Sequence, residues 1–147
     1  MRVIGFNFEK ISAERKEAKS KQEKLEINSN INVREITQES LDMVKDKPVL
    51  KLNFEFKVEY KPNVADIKLE GIILLLVEKD EAKNIIKKWK NKKIDLDVKV
   101  PIFNLILTKC NLKALELEEE LNLPTHIPLP RVSSKQEQGS NNRNYAG

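Results

Sequence analysis

Four glycines in 147 residues leave almost no material for a glycine-rich phosphate loop. Neither GxGxxG nor a GxxxxGK run followed by Ser or Thr occurs. One cysteine, Cys110, excludes an internal disulfide and fits a reducing compartment. One histidine, His126, excludes a histidine-based triad and a multi-histidine metal site. Long apolar runs are missing as well: the longest, Gly71 to Val77, is far too short for a membrane span. The start, Met1 to Phe6, lacks the apolar core of a signal peptide, and charges follow at Glu9 and Lys10. These absences predict a cytoplasmic, non-enzymatic protein with no cofactor, no metal and no membrane insertion.

What is present is a soluble globular balance: 39% hydrophobic and 34% charged residues, with a net charge of +4 and a pI near 9.1. The length is that of one domain with a proper core. Much of the positive charge stands beside acid, as in Lys24-Leu25-Glu26 and Lys57-Val58-Glu59, which is the pattern of a solvated mixed-charge surface.

Period-2 alternation dominates the first half. Ile4, Phe6 and Phe8 oppose Gly5, Asn7 and Glu9, a half-buried strand. The charged stretch Glu14 to Lys24 reads as an exposed turn or a hairpin arm. Leu25, Ile27, Ile31 and Val33 follow in phase. Residues 37–47 read as a loop or one helical turn with an apolar cluster at Leu41, Met43 and Val44. Leu50, Leu52, Phe54, Phe56, Val58 and Tyr60 then alternate without error. Lys61-Pro62-Asn63 supplies a turn, and Ala65, Ile67 and Leu69 begin the partner strand. At Gly71 the pattern becomes apolar on both faces, which suggests a bulge or bend. Strands are expected near 2–14, 24–36, 48–61 and 64–78.

Helical spacing dominates the second half. Asp80 and Glu81 open a helix over 80–91 whose stripe is Ala82, Ile85, Ile86 and Trp89. Leu96, Val98 and Val100 read as a connector. Pro101 suits the first position of a second helix, 101–121, with apolar residues on more than one face. Pro124, Pro128 and Pro130 hold the chain extended, with Ile127 and Leu129 expected to dock. Residues 132–147 cannot bury enough apolar area to order themselves and read as a disordered tail behind a single domain, 1–131.

Few residues offer chemistry. Cys110 on the apolar helix reads as a buried, inert thiol. Glu116, Glu118, Glu119 and Glu120 read as a solvated face, and His126 as a structural or surface residue. Lys83, Lys87, Lys88, Lys90, Lys92 and Lys93 surround Trp89, the combination that grips a nucleic-acid backbone and stacks a base. Ile72, Leu74 and Leu76, together with Ile86, Trp89 and Phe103, form an apolar surplus that two helices do not cover. Such surplus marks an interface.

The apolar strand Gly71 to Val77 before a helix, the Pro101–Phe103 start of a long helix, and the exit Leu121-Asn122-Leu123-Pro124 through Leu129-Pro130 resemble the SecB-like chaperone family, most of all its archaeal members. The resemblance implies an α+β fold, a four-stranded curled antiparallel sheet packed with two helices. It also implies a homodimer or homotetramer that holds non-native or nascent polypeptide in apolar grooves. The expected function is therefore a holdase-type chaperone or adaptor. The alternative is a ribosome- or RNA-associated factor using the six lysines and the basic stretch from Arg15 to Lys24.

Overall fold

The computed structural model describes residues 1–16, 24–40 and 46–134. Four strands come first, β1 (Arg2–Arg15), β2 (Glu26–Glu39), β3 (Val49–Lys61) and β4 (Ala65–Leu76), followed by α1 (Lys79–Trp89) and α2 (Leu96–Glu120). All pairings are antiparallel and the sheet order is β1-β4-β3-β2, so β1 and β2 are the two edges and do not form a hairpin. The hairpin arm expected beyond Glu14 is therefore corrected for Glu14 and Arg15, which pair with β4. Residues 17–23, the cluster at 41–45 and the tail from 135 lie outside the described residues.

The strongest alternation in the sequence makes the central hairpin. Leu50, Leu52, Phe54, Phe56, Val58 and Tyr60 are all buried on one face of β3, in register with Ala65, Ile67, Leu69, Ile73 and Leu75 of β4. Asn63 carries the turn at φ 52°, a left-handed conformation that asparagine tolerates. Both helices lie on this face: Ala82 and Ile85 of α1, and Val98, Ile102, Ile106, Cys110 and Ala114 of α2, complete the core.

The bulges of the sheet lie in the edge strands. Ladder pairing slips between Val3 and Gly5 and between Phe8 and Lys10 of β1, and between Val33 and Glu35 of β2. Ile4 therefore leaves the alternating set, and Val3, Phe6 and Phe8 share the core face. The irregularity expected at Gly71 falls in its pairing with β1, where the ladder slips between Phe8, opposite Gly71, and Lys10, opposite Glu70, while β4 keeps register with β3. Gly71 is also a close-approach position. A Cβ there would stand 2.4 Å from the Asn7 carbonyl oxygen and 2.7 Å from Cζ of Phe54.

Helix α2 begins at Leu96, a full turn before Pro101. Pro101 has no N–H to give to the Asp97 carbonyl, a cost that ended the predicted helix there. Val98 and Ile102 lie four residues apart on one face and both are buried, and this packing holds the extra turn on the sheet. The C-terminus closes in a Schellman arrangement. Asn122 adopts φ 52°, Leu123 N–H donates to Glu118 O at 2.8 Å, and Asn122 N–H donates to Glu119 O at 3.2 Å. From the far edge, Arg15 donates to the Leu121 and Asn122 carbonyls at 2.8 and 2.9 Å.

Candidate functional site: an apolar groove on the β2 edge

Strand β2 has no partner on its outer side among the described residues, so its edge is open for hydrogen bonding. Ile31 and Val33 pair with Phe56 and Phe54 and reach the core side only partly buried. Beside them stand Trp89 from the last turn of α1, Ile94 from the connector and Phe103 from α2. With Asn32, Arg34, Lys92 and Lys99 they line a groove of about 630 Å³.

Local backbone explains the two rim lysines. The chain leaves α1 through Lys92 at φ 58°, an unfavourable value for a side-chain-bearing residue, and this turn lays the Lys92 ammonium over the Trp89 ring, 4.5 Å from its centroid. Lys99, in the first turn of α2, stands 5.1 Å from the Phe103 centroid. Arg34, the bulged residue of β2, pairs with Glu55 and with Glu70.

No carboxylate lines the groove. Asp95, next to Ile94 and at the N-cap of α2, makes no capping hydrogen bond and accepts from Lys88 at 2.6 and 2.7 Å and from Asn84 at 3.2 Å. The Lys88 contact holds the Asp95 carboxyl below the usual range.

On α2 the core stripe is Val98, Ile102, Ile106, Cys110, Ala114 and Glu118, a strict four-residue spacing. Each step of four turns the contact line by about 40° around the helix. Phe103, Leu105, Leu117 and Leu121, half-buried against the core, flank this spiral, so burial spreads over more than one face as expected. That leaves Leu96 73%, Val100 51% and Leu107 38% exposed on the N-terminal half beside Phe103.

The predicted site residues divide between two surfaces. Trp89, Phe103 and Lys92 meet in the groove. Ile86 is half-buried against the core. Ile72, Leu74 and Leu76 occupy the opposite face of the sheet, half-buried, with Leu74 over Gly5 and Leu76 in register with the buried Val49. Farther along that face the apolar row gives way to ions: Glu55 with Arg34, Lys68 and Lys57, and Glu70 with Arg34 and Lys68. Lys83, Lys87, Lys90 and Lys93 are exposed, and Lys88 is tied to Asp95.

Sequence reasoning missed Ile31, Val33, Ile94, Arg34 and Lys99 as lining residues. Ile31 and Val33 were visible as strand residues, but only the strand order makes theirs an edge.

Two residues depart from expectation at the other end of α2. Glu118 belongs to no solvated face: it is fully buried. Its carboxylate accepts from His126 Nδ1 at 2.7 Å and from the His126 backbone N–H at 3.1 Å, while the Asn111 amide faces His126 Nε2 at 2.8 Å. The Tyr60 hydroxyl, whose pKa is raised by burial and by the Glu118 charge, donates to the Pro124 carbonyl at 2.6 Å. These contacts hold the exit segment, where Ile127 is half-buried and Leu129, expected to dock, is 49% exposed. Cys110 is buried as expected, its thiol pushed up to about 12 by that burial.

Among the described residues no group of three or more His, Cys, Asp or Glu is arranged to hold a metal ion, and no helix is long and apolar enough to cross a membrane.

No known family profile and no curated protein matches this sequence. A solved structure does, the Mycobacterium tuberculosis Rv1957 SecB-like chaperone in complex with a ChAD peptide from the Rv1956 HigA1 antitoxin. It aligns over 92% of both chains with a TM-score of 0.50 at 12% sequence identity. The chain has a SecB-like fold. The four-stranded curled antiparallel sheet with two helices is what the sequence resemblance implied; the order β1-β4-β3-β2 and the placing of both helices on one face are findings of the structure. In this SecB-like frame the groove lies between an edge strand and the start of the long helix.

Proposed function

We propose that the protein is a non-catalytic holdase-type chaperone or adaptor that captures non-native or nascent polypeptide in the β2-edge groove. The observation that carries this reading is the juxtaposition of an unpaired strand edge with an aromatic and aliphatic floor, Trp89, Phe103, Ile94, Ile31 and Val33. An extended segment pairs its backbone with β2 and buries alternate side chains on the floor. The peptide-bound state of the Mycobacterium neighbour lends support at the level of polypeptide as ligand. The archaeal leaning of the sequence resemblance has no counterpart in that neighbour and rests on the quoted residues alone. In this reading the protein works in the cytoplasm, with neither cofactor nor catalytic residue.

Copies associate as a homodimer or homotetramer through Ile72, Leu74 and Leu76, whose apolar row needs a cover. Leu74→Lys should lower the mass seen by light scattering, and an unchanged mass rejects this face.

Trp89 is the sole tryptophan, so capture of a destabilised client should shift its emission directly. Phe103→Ala should weaken capture about thirty-fold, the equivalent of about 2 kcal/mol for an aromatic anchor. Aggregation suppression that survives both Phe103→Ala and Trp89→Ala unchanged overturns the groove assignment.

A rival reading draws on Lys83 and Lys87 of α1 and Lys90 at its C-cap, all exposed at spacing that puts them on one face. RNA or ribosome binding through them should fall steeply with salt. Apolar capture should persist or strengthen in sulfate.

A further inference from the structure

Resting on the polypeptide-capture reading, we infer that the groove selects extended segments in which large apolar residues are flanked by Asp or Glu. Three cations, Arg34, Lys92 and Lys99, line the groove and no carboxylate does. The acid next to Ile94 in the chain, Asp95, is engaged by Lys88 and Asn84. Arg34 already has Glu55 and Glu70 on the opposite face of the sheet. The cations open to a ligand are therefore Lys92 and Lys99, each poised over an aromatic ring of the floor.

An apolar side chain that enters between Trp89 and Phe103 brings its sequence neighbours to these two ammonium groups. A carboxylate there finds an opposite charge at a partly dry rim, whereas a lysine or arginine meets like charge and no acid. The same cations could face phosphate. The rings of Trp89 and Phe103 suit a base as well as an apolar side chain; what argues for polypeptide is the open strand edge beside them, which matches a peptide backbone.

The experiment uses the full chain and two labelled peptides with one common apolar core, flanked either by Asp and Glu or by Lys, read by fluorescence anisotropy. The acid-flanked peptide should bind on the order of ten-fold tighter at low salt, as two exposed ion pairs allow. That preference should shrink in 1 M salt while binding of the apolar core remains. In Lys92→Asn/Lys99→Gln the two peptides should bind within about two-fold of each other. Asparagine tolerates the left-handed backbone at 92, and glutamine is a good helix former at 99, so the fold is kept.

Equal binding of the two peptides by the unaltered protein overturns the selectivity and leaves polypeptide capture standing. Failure of both peptides, with a denatured client still held, removes the groove from the capture reading as well. A single-stranded oligonucleotide that binds tighter than either peptide, and loses that binding in the double variant, overturns the inference in favour of nucleic acid.

Discussion

The two halves of α2 treat the same problem in opposite ways. At the N-terminal half, apolar side chains stand in water: Leu96, Val100 and Leu107 are exposed, as Leu112 is farther along the helix. At the C-terminal half, polar side chains are buried: Glu118 is fully enclosed, with His126 and the Asn111 amide around it. A buried carboxylate is tolerated only when its hydrogen bonds are made, and here the exit segment supplies them. Exposed leucine costs little in a folded chain. One end of the helix is closed by partners from its own chain, and the other leaves apolar side chains in water.

The largest effect should come from opening the closed end. His126→Ala leaves the Glu118 carboxylate buried without its ring partner and should cost about 3–5 kcal/mol in urea unfolding. Truncation after Leu123 removes the same partner and should cost at least as much. Truncation after Arg131 should stay within about 0.5 kcal/mol. Replacing His126 and Glu118 together by leucine should recover much of the loss. Equal losses for the two truncations would mean that the tail, not the exit segment, supplies the closure.

A smaller effect belongs to Tyr60, at the same end. Tyr60→Phe removes the donor to the Pro124 carbonyl and should cost about 1 kcal/mol near neutral pH. Burial and the Glu118 charge raise the folded-state pKa of the hydroxyl above its unfolded value. The stability it contributes is therefore complete below the unfolded pKa, about 10, and is lost as pH rises toward the folded value. The unaltered protein should show a steeper alkaline loss than Tyr60→Phe, and identical slopes in urea titrations above pH 10 would contradict the buried donor.

The smallest effect tests the open end. Leu96→Gln with Val100→Gln changes two apolar residues that water already reaches, and unfolding should move by no more than about 0.5 kcal/mol. Client capture is expected to weaken all the same. A stability loss like that of His126→Ala would show that this end is closed by something in the native assembly.

Much of this architecture was legible in advance because the backbone period leaves its mark on neighbouring residues. The six-fold alternation from Leu50 to Tyr60 required a half-buried strand, and Asp80, Glu81 and the stripe to Trp89 required an amphipathic helix. The lone histidine and lone cysteine already excluded most catalytic constellations. Less legible were features set by residues far away in sequence. Pro101 looked like a helix start because local sterics favour it there, yet burial of Val98 carried the helix back to Leu96. Glu118 looked like one of four solvated glutamates, because its neighbours in sequence are charged and its partners come from residues 111 and 126.

The sequence by itself determined the strands and helices, the positions of the apolar surplus and the basic balance, since each depends on side-chain chemistry at short range. Only the tertiary structure decided that β2 is an edge. It also decided that Ile72, Leu74 and Leu76 face away from Trp89 and Phe103, and that lysines at 92 and 99 converge on one groove. Those facts follow from strand order and from where the two helices pack on the sheet. They depend on which distant surfaces bury each other best, a choice no local pattern contains.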